Sequence, residues 1–597
     1  IRKLHRFVEY RDVFNTSSNN IAIGADALGA LTTSARNVAI GTEALNGAMA
    51  TGTDTYNVAV GFNAGKSVTT GVQNTIIGGL AGDALTTGNY NIAIGHTALS
   101  TEDTGNKSIA IGHQALLNQN YNGDTFNTAV GHNVGAGITS GIFNTLIGGL
   151  SGDALTEGNH NVAVGYATLS DEDGHGYNVA IGNFALQNQN AGADAYNTAV
   201  GYNAGNDITT GVKNTIVGGH AGDAFTTGQE NVAIGYKALS SETAHGRNTA
   251  VGASALENQL AGAEGHNTAV GYGAGYNVLT GINNTLVGSL AGDAVTTGEG
   301  NTSLGYGSLS GNSTGDYNTA LGYQTLLVYN SADTTGFNVA IGTNAGVSMT
   351  TGTSNVLVGS FAGDGFTTGK DNVAVGTGSL SAANAGDYNV AIGRDALNAQ
   401  NAGSAGVDMY NTAVGYKAGQ SVSTGVKNTL IGGLAGDAIE SGIENIAIGF
   451  EALSTNIDGD SNVAIGVGAL KDFEADTDGH GSNVAIGNLA MTECTTGTVN
   501  TAVGAQAMGT GITTGDYNVA LGYKTLEDAT SANYNVALGS QAMLQVSSGS
   551  QNVAIGFNAL AAETQGSRSV AVGDHALATL NKWYDEGHII CFFTSRT

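Results

Sequence analysis

There is no proline anywhere in the 597 residues, although glycine occurs 94 times. Flexible linkers ordinarily carry both, whereas stacked hydrogen-bonded strands tolerate Gly at their turns and exclude Pro, which cannot donate to the ladder. The glycine therefore reads as structure, not disorder. Only two cysteines occur, Cys494 and Cys591, which gives neither a disulfide framework nor a CxxC metal pattern. Basic residues are scarce, 19 Lys and Arg against 48 Asp and Glu, for a net charge of −29. That balance argues against nucleic acid or an anionic membrane as partner, since both need clustered Lys and Arg, and it favours solubility. No apolar run approaches the roughly 20 residues of a membrane helix. The longest near an end, Ile589-Ile-Cys-Phe-Phe593, is far shorter, so no membrane insertion is expected. The chain opens on Ile1 without a signal peptide or initiating Met, as a processed chain or a fragment would.

What is present is one short motif, repeated. Asn91-Ile-Ala-Ile-Gly-His-Thr-Ala-Leu99 recurs in some version 32 times between residues 20 and 577, each copy closing its alternating stretch on a glycine, from Gly24 to Gly573. Most intervals are about 17 residues, as from Gly78 to Gly95, and repetition at a fixed period is the signature of a solenoid. Through residue 487 every fourth interval is stretched to 19 or more, so that Gly61, Gly131, Gly201 and Gly271 are each 70 apart. In such an array each coil touches only its neighbours. The reading is all-β: a parallel β-solenoid of about 32 coils, one repeat domain over 20–577, with an N-terminal cap or attachment segment at 1–19 and a C-terminal cap or tip segment at 578–597. At about 4.8 Å per coil such a stack would reach roughly 150 Å.

Within a copy the residues alternate, which predicts a strand. In Asn178-Val-Ala-Ile-Gly182, Val179 and Ile181 share one face and Ala180 and Gly182 the other. The following Ala185-Leu186 pair is expected to form a second short strand, with polar turns such as Thr86-Thr-Gly-Asn89 between copies. The small, flat face of Ala and Gly is expected to let another chain approach along its length. Every fourth coil carries a large residue in place of the inner Ala (Ile76, Leu146, Ile216, Leu286, Leu357, Leu430), matched to a Gly or Ser directly after the strand-closing Gly. The opening Asn is present in 30 coils and is replaced by Ser108 and Ser569 in two. Asn accepts left-handed turn geometry, and at coil spacing its amide can bond the next coil as a ladder.

The string Asn-x-Ala-Ile-Gly-x-x-Ala, as in Asn231-Val-Ala-Ile-Gly-Tyr-Lys-Ala-Leu239, resembles the head repeats of trimeric autotransporter adhesins and equally the repeats of phage tail fibres, over roughly residues 20–577. The resemblance implies a left-handed β-roll and three chains side by side. It also implies an extracellular or virion-surface rod that holds a binding tip against a cell-surface glycan or protein receptor. The coil is longer than in adhesin heads, and no heptad stalk, membrane anchor or C-terminal chaperone segment is recognisable, so of the two the fibre is expected.

Chemical sites are few. Gly78-Gly-Leu-Ala-Gly-Asp-Ala-Leu-Thr86 comes near the calcium nonapeptide, and its Asp recurs as Asp83, Asp153, Asp223, Asp293, Asp364 and Asp437. These are the weak metal candidates, with calcium the only cofactor in view. At four-coil spacing they would lie roughly 19 Å apart, so an intracoil calcium roll is disfavoured. Three copies of one Asp meeting at a trimer axis, or an Asp capping a turn, are the other readings. The 12 His residues read as surface variation, since no HxH or HExxH pattern occurs. Carboxylate pairs such as Glu102-Asp103 and Asp171-Glu-Asp173 fall in turns, where solvated charge is the default. No phosphate loop, nucleophile elbow or nucleophile-base pair is found, and no enzyme is expected. Trp583, Tyr584, Phe592 and Phe593 form the densest aromatic cluster, fitting either a hydrophobic cap or a tip contact. Two further classes are a secreted calcium-binding β-roll and a polysaccharide-degrading fibre, the latter needing two carboxylates across a groove. An ice-binding solenoid would need an aligned Thr-x-Thr face, which the alternation of Val and Thr after each Asn does not supply.

Overall fold

The computed structural model describes residues 19–49, 52, 54–331, 335–474, 480–511, 513–562, 564–579 and 590–593. They contain strands and turns and no helix. The chain divides into two compact units, one ending at Thr297 and the other beginning at Gly298, each holding 16 of the 32 repeat strands. We name each coil by the glycine that closes its strand.

In each unit nearly all the repeat strands are three residues long, as in Ile92–Ile94 and Ile109–Ile111, and pair in parallel with neighbouring coils. Register follows the motif: Thr75 faces Ile92, Ile76 faces Ala93 and Ile77 faces Ile94. It survives the stretched coils, for Val390 pairs with Thr412 in spite of the longer interval between them. The additional residues are confined to the turn before the strand, where one expansion forms a small sheet of its own between Gly386–Asp387 and Val407–Asp408. The expected second strand is absent. Ala185 and Leu186 lie in a turn, because Phe184 and Leu186 both hold positive φ (63° and 49°), which curls the backbone back instead of extending it. The arc is still laddered to the next coil, the Leu186 amide donating to the Ala204 carbonyl at 3.1 Å.

The interior is small and lies on the Ala side of the strand. Ala59, Ala93, Ala129 and Ala180 are fully buried, and the Val, Ile and Thr that flank them point outward. The flat Ala and Gly face is therefore the coil's inside, so it cannot be where another chain approaches. Large inner residues are accommodated differently from the sequence expectation too. Room for Ile76 comes from Gly65 in the preceding coil and Gly82 in its own, whose added Cβ atoms would meet the Ile76 Cδ1 at 2.8 and 3.5 Å. Gly79, directly after the strand-closing Gly, faces the His96 ring instead. The two coils that follow in each cycle have a small inner Ala and place Leu at the Gly82 position, as Leu99 and Leu116 do, whereas the coil of Gly61 has both Ala59 and Gly65 and its centre is filled from the adjacent coils by Leu45 and Ile76.

The opening Asn residues form the expected ladder. Asn74 Oδ1 accepts from the Asn91 amide at 2.9 Å, Asn91 Oδ1 from the Ser108 amide at 2.9 Å, and each Nδ2 donates to a glycine carbonyl 14 residues on. These Asn are fully buried. The left-handed position is not the Asn but the residue before it, for instance Tyr56, Gln73, Tyr90 and Lys107. That arrangement leaves the Asn amide free to reach along the stack while its neighbour turns the chain.

Of the ends, residues 1–18 and the tip candidates Trp583 and Tyr584 lie outside the described residues. Phe592 and Phe593 belong to a strand, Ile590–Phe593, that pairs in parallel with Val570–Gly573 and continues the sheet by one more rung.

Candidate functional site

The feature that runs the length of each unit is the outward face of its strands. One residue after the ladder Asn is always Ile, Val or Thr, and two residues further is always Ile, Val or Leu. Being β-branched for the most part, these residues suit a pleated surface. The chain itself covers them only in part: most are half-buried, and Ile77 is 37 % exposed, Ile147 41 % and Leu538 44 %. Thr takes the first of the two positions in 8 of the 16 coils of the first unit, and the remaining 24 aliphatic side chains, each exposing on the order of 50 Å², present roughly 1,200 Å², more than the largest apolar patch of an ordinary monomer.

Both margins of this face carry ladders of their own. On the side of the left-handed residues, Phe126, Phe143, His160, Tyr177 and Tyr196 stack with ring centroids 5.4, 4.9, 5.0 and 5.0 Å apart and planes within 18° of parallel. Where that column is charged, signs alternate, as in Lys213, Glu230 and Arg247, with contacts of 3.7 and 3.2 Å. On the other side, directly after the strand-closing glycines, His96, His113 and His132 stack at 5.5 and 5.0 Å. Stacked rings cover one another's faces and stiffen the margin, whereas further along the second margin Tyr166, Phe184, Tyr202, His220 and Tyr236 meet edge to face at 71–87°.

The six Asp candidates sit in the arc after the strand, and the structure does not bring them together: each recurs only at the fourth coil. Asp223 is 3.0 Å from His220 Nδ1, and Asp364 accepts from the Ser381 hydroxyl. Asp83, Asp153 and Asp437 each keep one buried oxygen without a partner. A shallow cavity of about 270 Å³ near one of them is lined by Glu257, Asp293, Tyr272, Tyr276 and Leu290, with Glu257 held by Lys237 at 3.4 Å. Cys494 is buried, which pushes its thiol up to about 12 and keeps it protonated and unreactive.

Sequence reasoning missed the turn carboxylates. Glu102 and Glu172 are fully buried, not solvated. Glu102 accepts from the Gly105 amide at 2.7 Å and from Gln119 Nε2 at 2.9 Å. Glu172 accepts from the His175 amide at 3.1 Å. The signal was a Glu seven residues after the closing glycine in the coils of Gly95, Gly165 and Gly235 (Glu102, Glu172, Glu242), a fixed place one four-coil cycle apart.

Burial pushes the carboxyls of Asp83, Glu102, Asp153, Glu172, Asp223, Asp364 and Asp437 above their ordinary values, desolvation outweighing the hydrogen bonds that lower them. A carboxyl whose folded pKa is raised binds its proton more tightly in the native state. Its stabilising contribution is complete below the unfolded value near 4 and is lost as pH rises through the folded value. The unfolding temperature is therefore expected to rise by several degrees on acidification from pH 7.5 to about 4.5. Thermal melts across that interval check it, and a falling midpoint would contradict the sign.

No protein-family model matches the chain, and no curated protein matches it. Among the described residues no helix is long and apolar enough to cross a membrane.

Proposed function

We propose that the protein is the structural shaft of an attachment fibre, an extracellular or virion-surface rod in which three copies lie side by side and hold a receptor-binding tip away from the base. The observation that carries this reading is the outward face of Ile, Val and Leu, interspersed with Thr, to which every repeat strand contributes. Its aliphatic extent of roughly 1,200 Å² in one unit is that of a protein interface, and leaving it in water would be costly. A second copy of the same chain is the fitting occupant, because the face repeats at the coil spacing and an identical face matches it rung for rung. The function is mechanical. Hydrogen-bonded strands, buried Asn and stacked margins repeat along the stack within each unit, which resists bending, while the acidic net charge keeps assembled rods apart.

Light scattering on the purified chain, with and without a calcium chelator, tests the reading. A mass near three chains, unchanged by chelation, is expected. Ile147→Lys combined with Ile181→Lys, which places charge on the exposed face without touching the interior, is expected to reduce that mass to one chain. A monomer that unfolds on chelation would replace the shaft by a calcium-binding β-roll. Loss of host glycan on incubation with the protein would replace it by a polysaccharide-degrading fibre, with the cavity of Glu257 and Asp293 as the place to look.

A further inference from the structure

We propose that Glu172, Asp173 and His175, in the turn that leaves the coil of Gly165, form a binding site for one divalent transition ion, with zinc the best fit. One donor atom from each residue lies within 4.8 Å of the other two, a spread that an ion at ordinary ligand distances can span. Glu172 is fully buried; its Oε1 lies 3.2 Å from His175 Nδ1, and its Oε2 is buried with no hydrogen-bond partner. A buried carboxylate oxygen left unpaired is costly, and a cation offsets that cost.

The repeat supplies its own comparison. The corresponding turns one four-coil cycle before and one after read Glu102-Asp103-Thr104-Gly105 and Glu242-Thr243-Ala244-His245. The first has the Asp without the His, and the second the His without the Asp. In both, the second glutamate oxygen is satisfied by protein: Glu102 Oε2 by Gln119 Nε2 at 2.9 Å, and Glu242 Oε2 by the Ala261 amide at 3.0 Å. In the middle turn Gln189 Nε2 donates to Asn178 Oδ1 at 3.2 Å instead. The full donor set and the unsatisfied oxygen thus coincide in one turn. An imidazole with two carboxylates suits zinc, whose tetrahedral shell a water would complete, better than calcium, which takes six to eight oxygens. Space is available beside the cluster, since a Cβ added at Gly174 would meet nothing within 4 Å. Bound there, the ion would tie the exposed Asp173 to the buried Glu172 and fix the turn onto the coil.

Zn²⁺ titration of the full chain by calorimetry tests this. One equivalent is expected to bind saturably, with affinity reduced about tenfold or more in Asp173→Asn and in His175→Gln and unchanged in His132→Gln, which removes a member of the exposed His stack. Circular dichroism melts verify that the variants fold. Co²⁺ substituted into the unmodified chain gives a second readout, a tetrahedral visible absorption band that Zn²⁺ displaces. Absence of saturable binding, binding that survives both variants, or loss in His132→Gln would overturn the site. Tighter binding of Ca²⁺ than of Zn²⁺ would overturn the ion class.

Discussion

Gly235→Ala is expected to lower stability by about 3–5 kcal/mol, combining a backbone conformation that only glycine adopts freely with lost ladder bonds. Gly235 holds φ at +136°, and a Cβ there would lie 2.4 Å from the Gly252 carbonyl oxygen, 2.5 Å from its carbon and 2.9 Å from the Ala253 nitrogen. All three are backbone atoms, so no side chain can rotate away. The same column repeats through the unit, with Gly218 set against Gly235 and Gly252 against Gly271 at 2.4 and 2.3 Å. Adjacent rungs are held about 4.8 Å apart by their hydrogen bonds, and a methyl group can enter only by breaking some of them. In a stack where each coil contacts its neighbours, the damage should stay local. Hydrogen exchange is expected to accelerate in the coils of Gly218, Gly235 and Gly252 while distant coils keep their protection. Gly262→Ala is the control, since nothing lies within 4 Å of its added Cβ and its φ is not left-handed. Equal effects of the two substitutions would contradict the packing argument.

Asn144→Ala is expected to cost about 2–5 kcal/mol, because it strands two buried backbone groups at about 1–3 kcal/mol each. Asn144 Oδ1 accepts from the Asn161 amide at 2.9 Å and its Nδ2 donates to the Gly158 carbonyl at 2.8 Å, while its own amide donates to Asn127 Oδ1 at 2.9 Å. Alanine keeps the last of these and loses the others. Serine is tolerated at the equivalent Ser108 because Gln119 Nε2 and the Thr125 hydroxyl lie 2.6 and 2.5 Å from its oxygen. The coil of Gly148 has no such neighbours built in, so Asn144→Ser should fall between wild type and Asn144→Ala. Urea unfolding with an unchanged slope and a lowered midpoint is the expected readout. A shift worth less than about 1 kcal/mol would mean that the side-chain ladder does not satisfy the backbone.

The sequence by itself determined the repeat, its parallel register and the Asn ladder. A constant spacing between copies leaves Asn74 only Asn57 and Asn91 as stacking partners, and alternation of period two admits only a strand. The burial of Glu172 was hidden because neighbouring acids in a turn look alike in sequence until one of them points inward. Leu186 passed for a strand residue because positive φ in a leucine leaves no mark on composition. Above all, alternation says that Val179 and Ile181 oppose Ala180 without saying which of them is enclosed. That was decided only when the coil closed: so short a loop of chain bends around too little volume to take two β-branched side chains from every strand. The methyl of Ala180 went inside, and the larger residues were turned out to form the face on which the proposed assembly depends.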